Sequence, residues 1–328
     1  MPRSEPPKSP ARTTFLFAAI LPAALAGAEP FPPGATVHGK NPEEWVVEWT
    51  RWAFSYPRER SPLLDASGEH CGFNQSGDVF FLAGHPSIQS SSLDVRRDCK
   101  APAGRELFFP ILYQFTAGSK DGAIPCEPSC SEAEKSMDRI SILRCSVDGK
   151  TVRDLQSRRT SSACFEVRLP ANNVEGLPQG TYGKACCDGY WVMLEPLERG
   201  PHHLELEGVL GKPESPEMEI RITYLISAEE SLFLRGDVDN DGRVEINDPI
   251  LVLNWLFLGG VEPFCQDAAD AEDSGDSSIG DAIYLLNYLF LGGEEPVNPG
   301  PRACGPDSTA DLSPFCPNSP FCRPAGVR

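Results

Sequence analysis

A short stretch that begins at Asp237 carries the residues whose types and spacing best suit metal binding. Oxygen-bearing side chains occupy positions 1, 3, 5, 9 and 12 of a twelve-residue loop: Asp237, Asp239, Asp241, Glu245 and Asp248. Gly242 at position 6 permits a sharp turn, and the backbone carbonyl of Arg243 at position 7 would add another oxygen. Calcium takes six to eight oxygens at about 2.3–2.6 Å, so this spacing predicts a calcium site. The alternative is a solvated acidic turn.

The same unit occurs a second time, because Leu253–Pro263 recurs as Leu286–Pro296, a shift of 33 residues. A fixed repeat indicates a duplicated unit, here a calcium loop, a short apolar helix and a Gly-Gly stop. The second loop begins at Asp270, and its expected ligands are Asp270, Glu272, Ser274, the carbonyl of Asp276, Ser278 through a water, and Asp281. Ser274 replaces a carboxylate, so we predict two calcium ions, the second bound more weakly.

These two loop–helix units lack the entering helix of a full EF-hand and carry Asp at position 12. Over residues 234–297 they resemble a type I dockerin. The resemblance implies a small all-α, calcium-dependent domain that binds a cohesin-like partner, commonly within exported polysaccharide-degrading proteins. Positions 10 and 11, which help to choose the partner in cellulosomal dockerins, depart from the family pattern: Ile246 and Asn247, then Ile279 and Gly280.

The overall charge restricts the classes of partner. The chain of 328 residues has a net charge of −18, and its acidic residues are concentrated in the calcium-loop region. An acidic chain repels phosphate backbones, so no nucleic-acid partner is expected. No basic patch suits anionic lipids, and no stretch is long enough to span a bilayer.

Residues 1–28 have the pattern of a secretory signal peptide. Arg3, Lys8 and Arg12 precede an apolar run from Phe15 to Leu25, and small residues follow it. We therefore expect a secreted or extracellular protein, with the periplasm or the cell surface as alternatives.

Twelve cysteines in an exported chain imply disulfide bonds. Cys71 and Cys99 flank a predicted strand and are expected to pair. In the tail we predict a bond from Cys265 to Cys304, with Cys316 and Cys322 paired locally. A structural zinc site is disfavoured, because the Cys126–Cys130 spacing has no second pair to complete it.

Residues 29–230 form the predicted first domain, followed by the dockerin-like residues 231–297 and a tail, 298–328. A helix capped by Asn41 would carry three tryptophans on one face, towards the core or as a platform for sugar rings. Ser131 and Glu134 fit a capping box, which predicts the start of a second short helix. Strands separated by polar turns predict an antiparallel β-sandwich with one or two helices: 78–84, 105–113, 140–147, 151–152, 164–169, 189–197, 203–208 and 217–226.

The first domain also resembles a group of exported bacterial proteins that have no assigned activity, which implies a single exported domain and no chemistry. The likeness covers most of residues 40–226. It rests on these segments: Trp49–Trp52, Ser61–Asp65, Gln75–Gly77, Val79–Gly84, Leu107–Pro110, Asp188–Leu194 and Leu197–His202.

Candidate catalytic residues in the first domain are limited to Asp65, Glu69 and His70. Two carboxylates about 5–10 Å apart across a cleft would suit a glycosidase, although acidic loop residues are common. Signatures of zinc proteases, serine hydrolases and phosphate-binding loops are absent. Three hypotheses follow: a calcium-binding assembly protein whose β domain binds a polysaccharide or cell-surface ligand, a polysaccharide-active O-glycosyl hydrolase, and a purely structural exported protein.

Overall fold

The computed structural model describes residues 28–73, 75, 79–86, 92–120, 125–307, 316 and 319–322. The predicted signal peptide lies outside this part of the chain except for its last residue. The strands are β1 Val79–Phe81, β2 Ser92–Pro102, β3 Glu106–Thr116, β4 Ile140–Val147, β5 Lys150–Thr151, β6 Arg159–Ser161, β7 Phe165–Leu169, β8 Gly180–Leu194, β9 Gly200–Lys212 and β10 Ser215–Glu229. The helices are α1 Pro42–Ala53, α2 Cys126–Met137, α3 Asn247–Leu258, α4 Gln266–Ala269 and α5 Ile279–Leu291.

The strands of the described residues form two five-stranded sheets. In the first sheet the order is β1-β3-β8-β6 with β7 also paired to β8, and in the second it is β2-β10-β9-β4-β5. The predicted mainly β fold is confirmed, but the purely antiparallel arrangement is wrong, because β1 runs parallel to β3 and β2 runs parallel to β10. Strands β1 and β2 each lie at the edge of a sheet. The free backbone N–H and C=O groups along one side of the neighbouring strand can pair with a parallel or an antiparallel strand.

Strand β2 was not predicted from the sequence. Along its first half exposed residues alternate with half-buried ones, as in Ser92, Asp94 and Arg96, so it offers little apolar signal. Its register pairs Ser92 with Glu219 and continues to Pro102 opposite Glu229. The strand is therefore defined by a long-range ladder to β10 and not by its own residues.

The two sheets share one apolar core. Phe109 and Val192 of the first sheet and Leu206, Ile222 and Tyr224 of the second are buried in the same cluster. Alternate residues of a strand point to opposite faces, so each sheet turns one apolar face towards the other sheet. This shared core joins the two sheets of the β-rich part.

The opposite face of the first sheet is covered by α1. As predicted, Asn41 caps this helix and Pro42 is its first residue. Trp45, Trp49 and Trp52 are only 3%, 0% and 7% exposed, and their indole N–H groups donate to backbone carbonyls. The core interpretation of the tryptophan stripe is confirmed, and the sugar platform is wrong because the ring faces are not accessible.

Helix α2 begins earlier than the predicted capping box at Ser131. Its N-cap is Pro125, and its first turn contains Cys126. Disulfides join Cys126 to Cys164 and Cys130 to Cys186, so the helix is tied to the segment before β7 and to β8. The two disulfides hold the first turns of α2 in place. The capping pattern at Ser131 gives no sign of these turns.

Five disulfides are present among the described residues, which is compatible with an exported protein. The predicted Cys71–Cys99 bond is confirmed. Both tail pairings are wrong, because Cys265 bonds Cys316 and Cys304 bonds Cys322. Cys316 shares a small buried cluster with Phe233, Cys265 and Ala268, and this packing selects it over Cys304.

Helices α3 and α5 follow the two predicted calcium loops and contact each other. Val252 of α3 and Leu285 of α5 are buried in one cluster, which also contains three alanines. Gly259 and Gly292 end the helices in the left-handed region, at φ 66° and φ 70°, as the Gly-Gly stops predict. None of the helices in the described ranges has the length and apolar run that crossing a membrane requires.

Candidate metal centre

Three carboxylates of the first loop converge on one point. Oxygens of Asp237, Asp239 and Asp248 all lie within 4.8 Å of one another. These are positions 1, 3 and 12 of the predicted calcium loop, which the chain brings together by reversing direction at Asn240 and Gly242. Both residues adopt left-handed conformations, at φ 56° and φ 87°. The position-6 glycine is therefore needed where the sequence places it.

Backbone N–H groups hold the first and last carboxylates of this loop. Asp237 accepts from the N–H groups of Asp241 and Gly242, each at 2.9 Å. Asp248 accepts from Val238 and Glu245, each at 2.7 Å. The same contacts fix the loop backbone and orient these two carboxylates.

Burial puts these carboxylates in an unfavourable electrostatic state. Asp237 is 3% exposed and Asp248 is 0% exposed. Desolvation raises the pKa of Asp237 to about 6 and that of Asp248 to about 7, against the opposing effect of the backbone N–H donors. Burial and the nearby Asp241 also raise the pKa of Asp239. A bound cation would reverse these shifts, so the donor set fits a hard divalent ion that prefers oxygen.

The second loop repeats this arrangement around Asp270 and Asp281, both fully buried. Asp270 accepts from the N–H groups of Ser274 at 2.9 Å and Gly275 at 2.6 Å. Asp281 accepts from the N–H of Ser278 at 2.7 Å, and burial raises its pKa to about 6. Positions 1 and 12 of the two loops are therefore held in the same way.

The other predicted ligands lie at the rims of the two loops. In the first, Asp241 accepts from the N–H of Arg243 at 2.9 Å and Glu245 from the side chain of Asn247 at 3.2 Å. In the second, Glu272 and Asp276 are exposed. The Ser274 hydroxyl contacts the carbonyl of Asp276 at 3.3 Å, and Ser278 is the N-cap of α5. The second loop thus gathers fewer carboxylates than the first.

Asp65, the first of the candidate catalytic residues, is held by hydrogen bonds within its own loop. Both oxygens of Asp65 accept loop donors, the N–H and hydroxyl of Ser67 and the N–H of His70, at 2.6–2.8 Å. Burial opposes ionisation of Asp65, but these donors outweigh it and lower its pKa. Glu69 is exposed, and the His70 ring stacks on Phe73 at 4.7 Å. This geometry describes a loop-stabilising aspartate.

A duplicated apolar surface is the main feature that the sequence analysis did not identify. All the large apolar side chains that are exposed in the described residues lie between positions 246 and 321. Eight of them form equivalent pairs in the two repeats: Ile246 and Ile279, Ile250 and Ile283, Phe257 and Phe290, and Leu258 and Leu291. The spacing of 33 residues could have revealed the pairs in the sequence, but only the structure shows which apolar residues of each repeat are exposed to solvent.

The chain matches no protein-family model, no curated protein and no solved structure in the comparisons made with known proteins. Its function is therefore argued from its own residues.

Proposed function

We propose that residues 234–297 form a small all-α, dockerin-like module that binds two calcium ions and docks onto a partner protein. The observation that carries this proposal is the burial of Asp237, Asp248, Asp270 and Asp281 at positions 1 and 12 of the two loops. Buried carboxylates are strongly unfavourable unless they are paired or coordinate a metal. Two calcium ions would satisfy both sets.

The two sites are expected to differ in affinity. The first loop offers carboxylates at positions 1, 3, 5, 9 and 12, whereas the second has Ser274 at position 5 and Ser278 at position 9. Ligand charge is one factor that tunes calcium affinity, so the first loop binds more tightly.

The duplicated apolar surface supports a protein partner. Phe257 and Phe290 are 62% and 63% exposed, and Leu258 and Leu291 are both 78% exposed. Large uncovered apolar side chains on an otherwise acidic module are typical of an interaction surface. We assign this surface to a cohesin-like partner, with Ile246 and Ile279 in place of the residues that cellulosomal partners recognise.

The β-rich part is assigned a binding role in an exported assembly, with a polysaccharide or a cell-surface molecule as its ligand. The disulfides support export. A glycosidase activity receives no support from Asp65, because both of its oxygens accept hydrogen bonds within its own loop.

Calcium titration of the full chain by calorimetry tests the proposal. We expect a tight and a weak site, with loss of the tight site in Asp237→Asn. Asp94→Asn is a matched control, because Asp94 is an exposed acid on β2. An unchanged titration of Asp237→Asn, or no calcium binding by the wild type, would contradict the proposal.

A further inference from the structure

Arg235 lies two residues before the first calcium loop and is fully buried. Its guanidinium group makes its hydrogen bonds and ion pairs outside that loop. It reaches the second loop instead: Nη1 donates to the carbonyl of Asp270 at 2.7 Å, and Nη2 pairs with the carboxylate of Asp273 at 2.9 Å. Asp270 is position 1 of the second loop, so Arg235 contacts the residue that begins that site.

The backbone beside Arg235 is attached to the second repeat as well. The N–H of Gly236 donates to the carbonyl of Ala268 at 2.8 Å, and Nη1 of Arg235 also donates to the carbonyl of Asp267 at 3.0 Å. Gly236 directly precedes Asp237, which is position 1 of the first loop. One residue thus joins the starts of both loops.

The chain beyond the second repeat completes this contact. Nη2 of Arg235 bonds Asp307 at 2.8 Å, and the N–H of Arg235 donates to the carbonyl of Pro299 at 2.8 Å. The Phe233 ring lies 5.5 Å from the guanidinium. Two carboxylates and two carbonyls therefore surround the buried cation. The planar guanidinium has enough donors to bond all four groups, whereas a lysine ammonium has only three.

The arrangement is present in one repeat only. The repeat distance of 33 residues places Ala268 at the position equivalent to Arg235. The two loops are therefore related by sequence, but the link between them comes from a single side chain. Duplication of the loops does not explain why only one repeat has this arginine. We therefore look for its role in the contact between the two loops.

We propose that Arg235 is a positioning residue that couples the two calcium loops, so that calcium in one loop raises the affinity of the other. The inference rests on the proposed calcium sites. An ion in the second loop fixes Asp270 and the backbone that follows it. Arg235 transmits this order to Gly236 and Asp237, so the ordering cost of the first loop is already met. Coupling of this kind is reciprocal.

A double-mutant cycle on the full-length oxidised protein measures the coupling. Asp237→Asn removes the first site, and calorimetry then gives the calcium affinity of the second loop with and without Arg235→Lys. In the wild-type background, loss of the first site should weaken the second loop about five-fold or more. In the Arg235→Lys background, Asp237→Asn should have little further effect on the second loop.

Arg302→Lys is the matched control, because it makes the same change at an exposed arginine of the same region. Thermal unfolding and non-reducing peptide mapping verify that each variant is folded. If Arg235→Lys does not fold, Asp273→Asn removes a single acceptor of the guanidinium and should reduce the coupling in the same direction. A merely structural Arg235 would lower stability and leave the coupling intact.

The outcomes separate the two proposals. Absence of calcium binding by the wild type overturns the proposed function. Two independent sites, with the second loop unaffected by Asp237→Asn, overturn the coupling and leave calcium binding in place. Coupling that persists in folded Arg235→Lys and Asp273→Asn overturns the role of Arg235.

Discussion

The ring of Phe321 packs against Gly242, the position-6 glycine of the first proposed calcium loop. A Cβ built at Gly242 would stand 2.7 Å from the Cγ atom of Phe321, closer than side chains approach one another. The same glycine has φ 87°. Both the backbone conformation and the contact with the tail therefore require a residue without a side chain at this position.

We expect Gly242→Ala to lower the unfolding free energy of the loop region by about 2–3 kcal/mol, from left-handed strain plus the clash. Gly259→Ala is the control, because Gly259 has φ 66° and open space around it, and should cost only about 1–2 kcal/mol. Chemical denaturation followed by circular dichroism compares them. Equal losses in the two variants would show that the Phe321 contact contributes nothing.

Removal of calcium should melt α3 and α5. At pH 8, above their raised pKa values, Asp237 and Asp248 carry buried negative charge when no ion is bound, and their repulsion opposes the loop structure. Far-ultraviolet circular dichroism of the full chain should lose helical signal in EGTA and regain it when calcium is restored. Helicity that is the same with and without EGTA would count against a metal-dependent fold.

The paired phenylalanines should carry much of the partner affinity. We expect Phe257→Ser with Phe290→Ser to weaken binding to a cohesin-like domain by about 2 kcal/mol or more, because buried aromatic residues dominate such interfaces. Val297→Ser is a control at an exposed apolar residue outside the pairs, 43% exposed. Surface-immobilised cohesin domains and calcium-saturated protein provide the measurement. A double variant that binds as tightly as Val297→Ser would exclude this surface.

Features with local causes could be predicted from the sequence. Helix α1 follows from the cap at Asn41 and a tryptophan stripe, and the hairpin of β4 and β5 follows from Asp148-Gly149. The left-handed conformations at Gly242, Gly259 and Gly292 likewise follow from turn and cap positions. In each case the residues that determine the conformation lie within a few positions of one another.

Features with distant causes could not be predicted. The parallel pairing of β2 depends on β10, which follows more than 100 residues later. The choice of Cys316 over Cys304 as the partner of Cys265 depends on a buried cluster that includes Phe233. The burial of Arg235 depends on the carbonyls of Asp267 and Asp270. An arginine before a loop gives no sign of this in the sequence.

Glu175 should make the stability of the β-rich part depend on pH. Burial raises the pKa of this carboxyl from 4.5 to about 7. Between these values the folded protein holds a proton that the unfolded chain has released. The stabilisation is therefore complete below about pH 4.5 and is lost as the pH rises through 7, a loss of about 3 kcal/mol.

The neutral amide of Glu175→Gln removes this dependence. At pH 8 the variant should be about 3 kcal/mol more stable than the wild type, and at pH 4.5 the two should be equal. Urea unfolding followed by tryptophan fluorescence reports on the core around Trp49 and Trp191. Glu166→Gln, at an exposed residue of β7, is the matched control and should follow the wild type at both pH values. If the difference in unfolding free energy between the wild type and Glu175→Gln is the same at pH 4.5 and pH 8, the buried carboxyl does not titrate in this range.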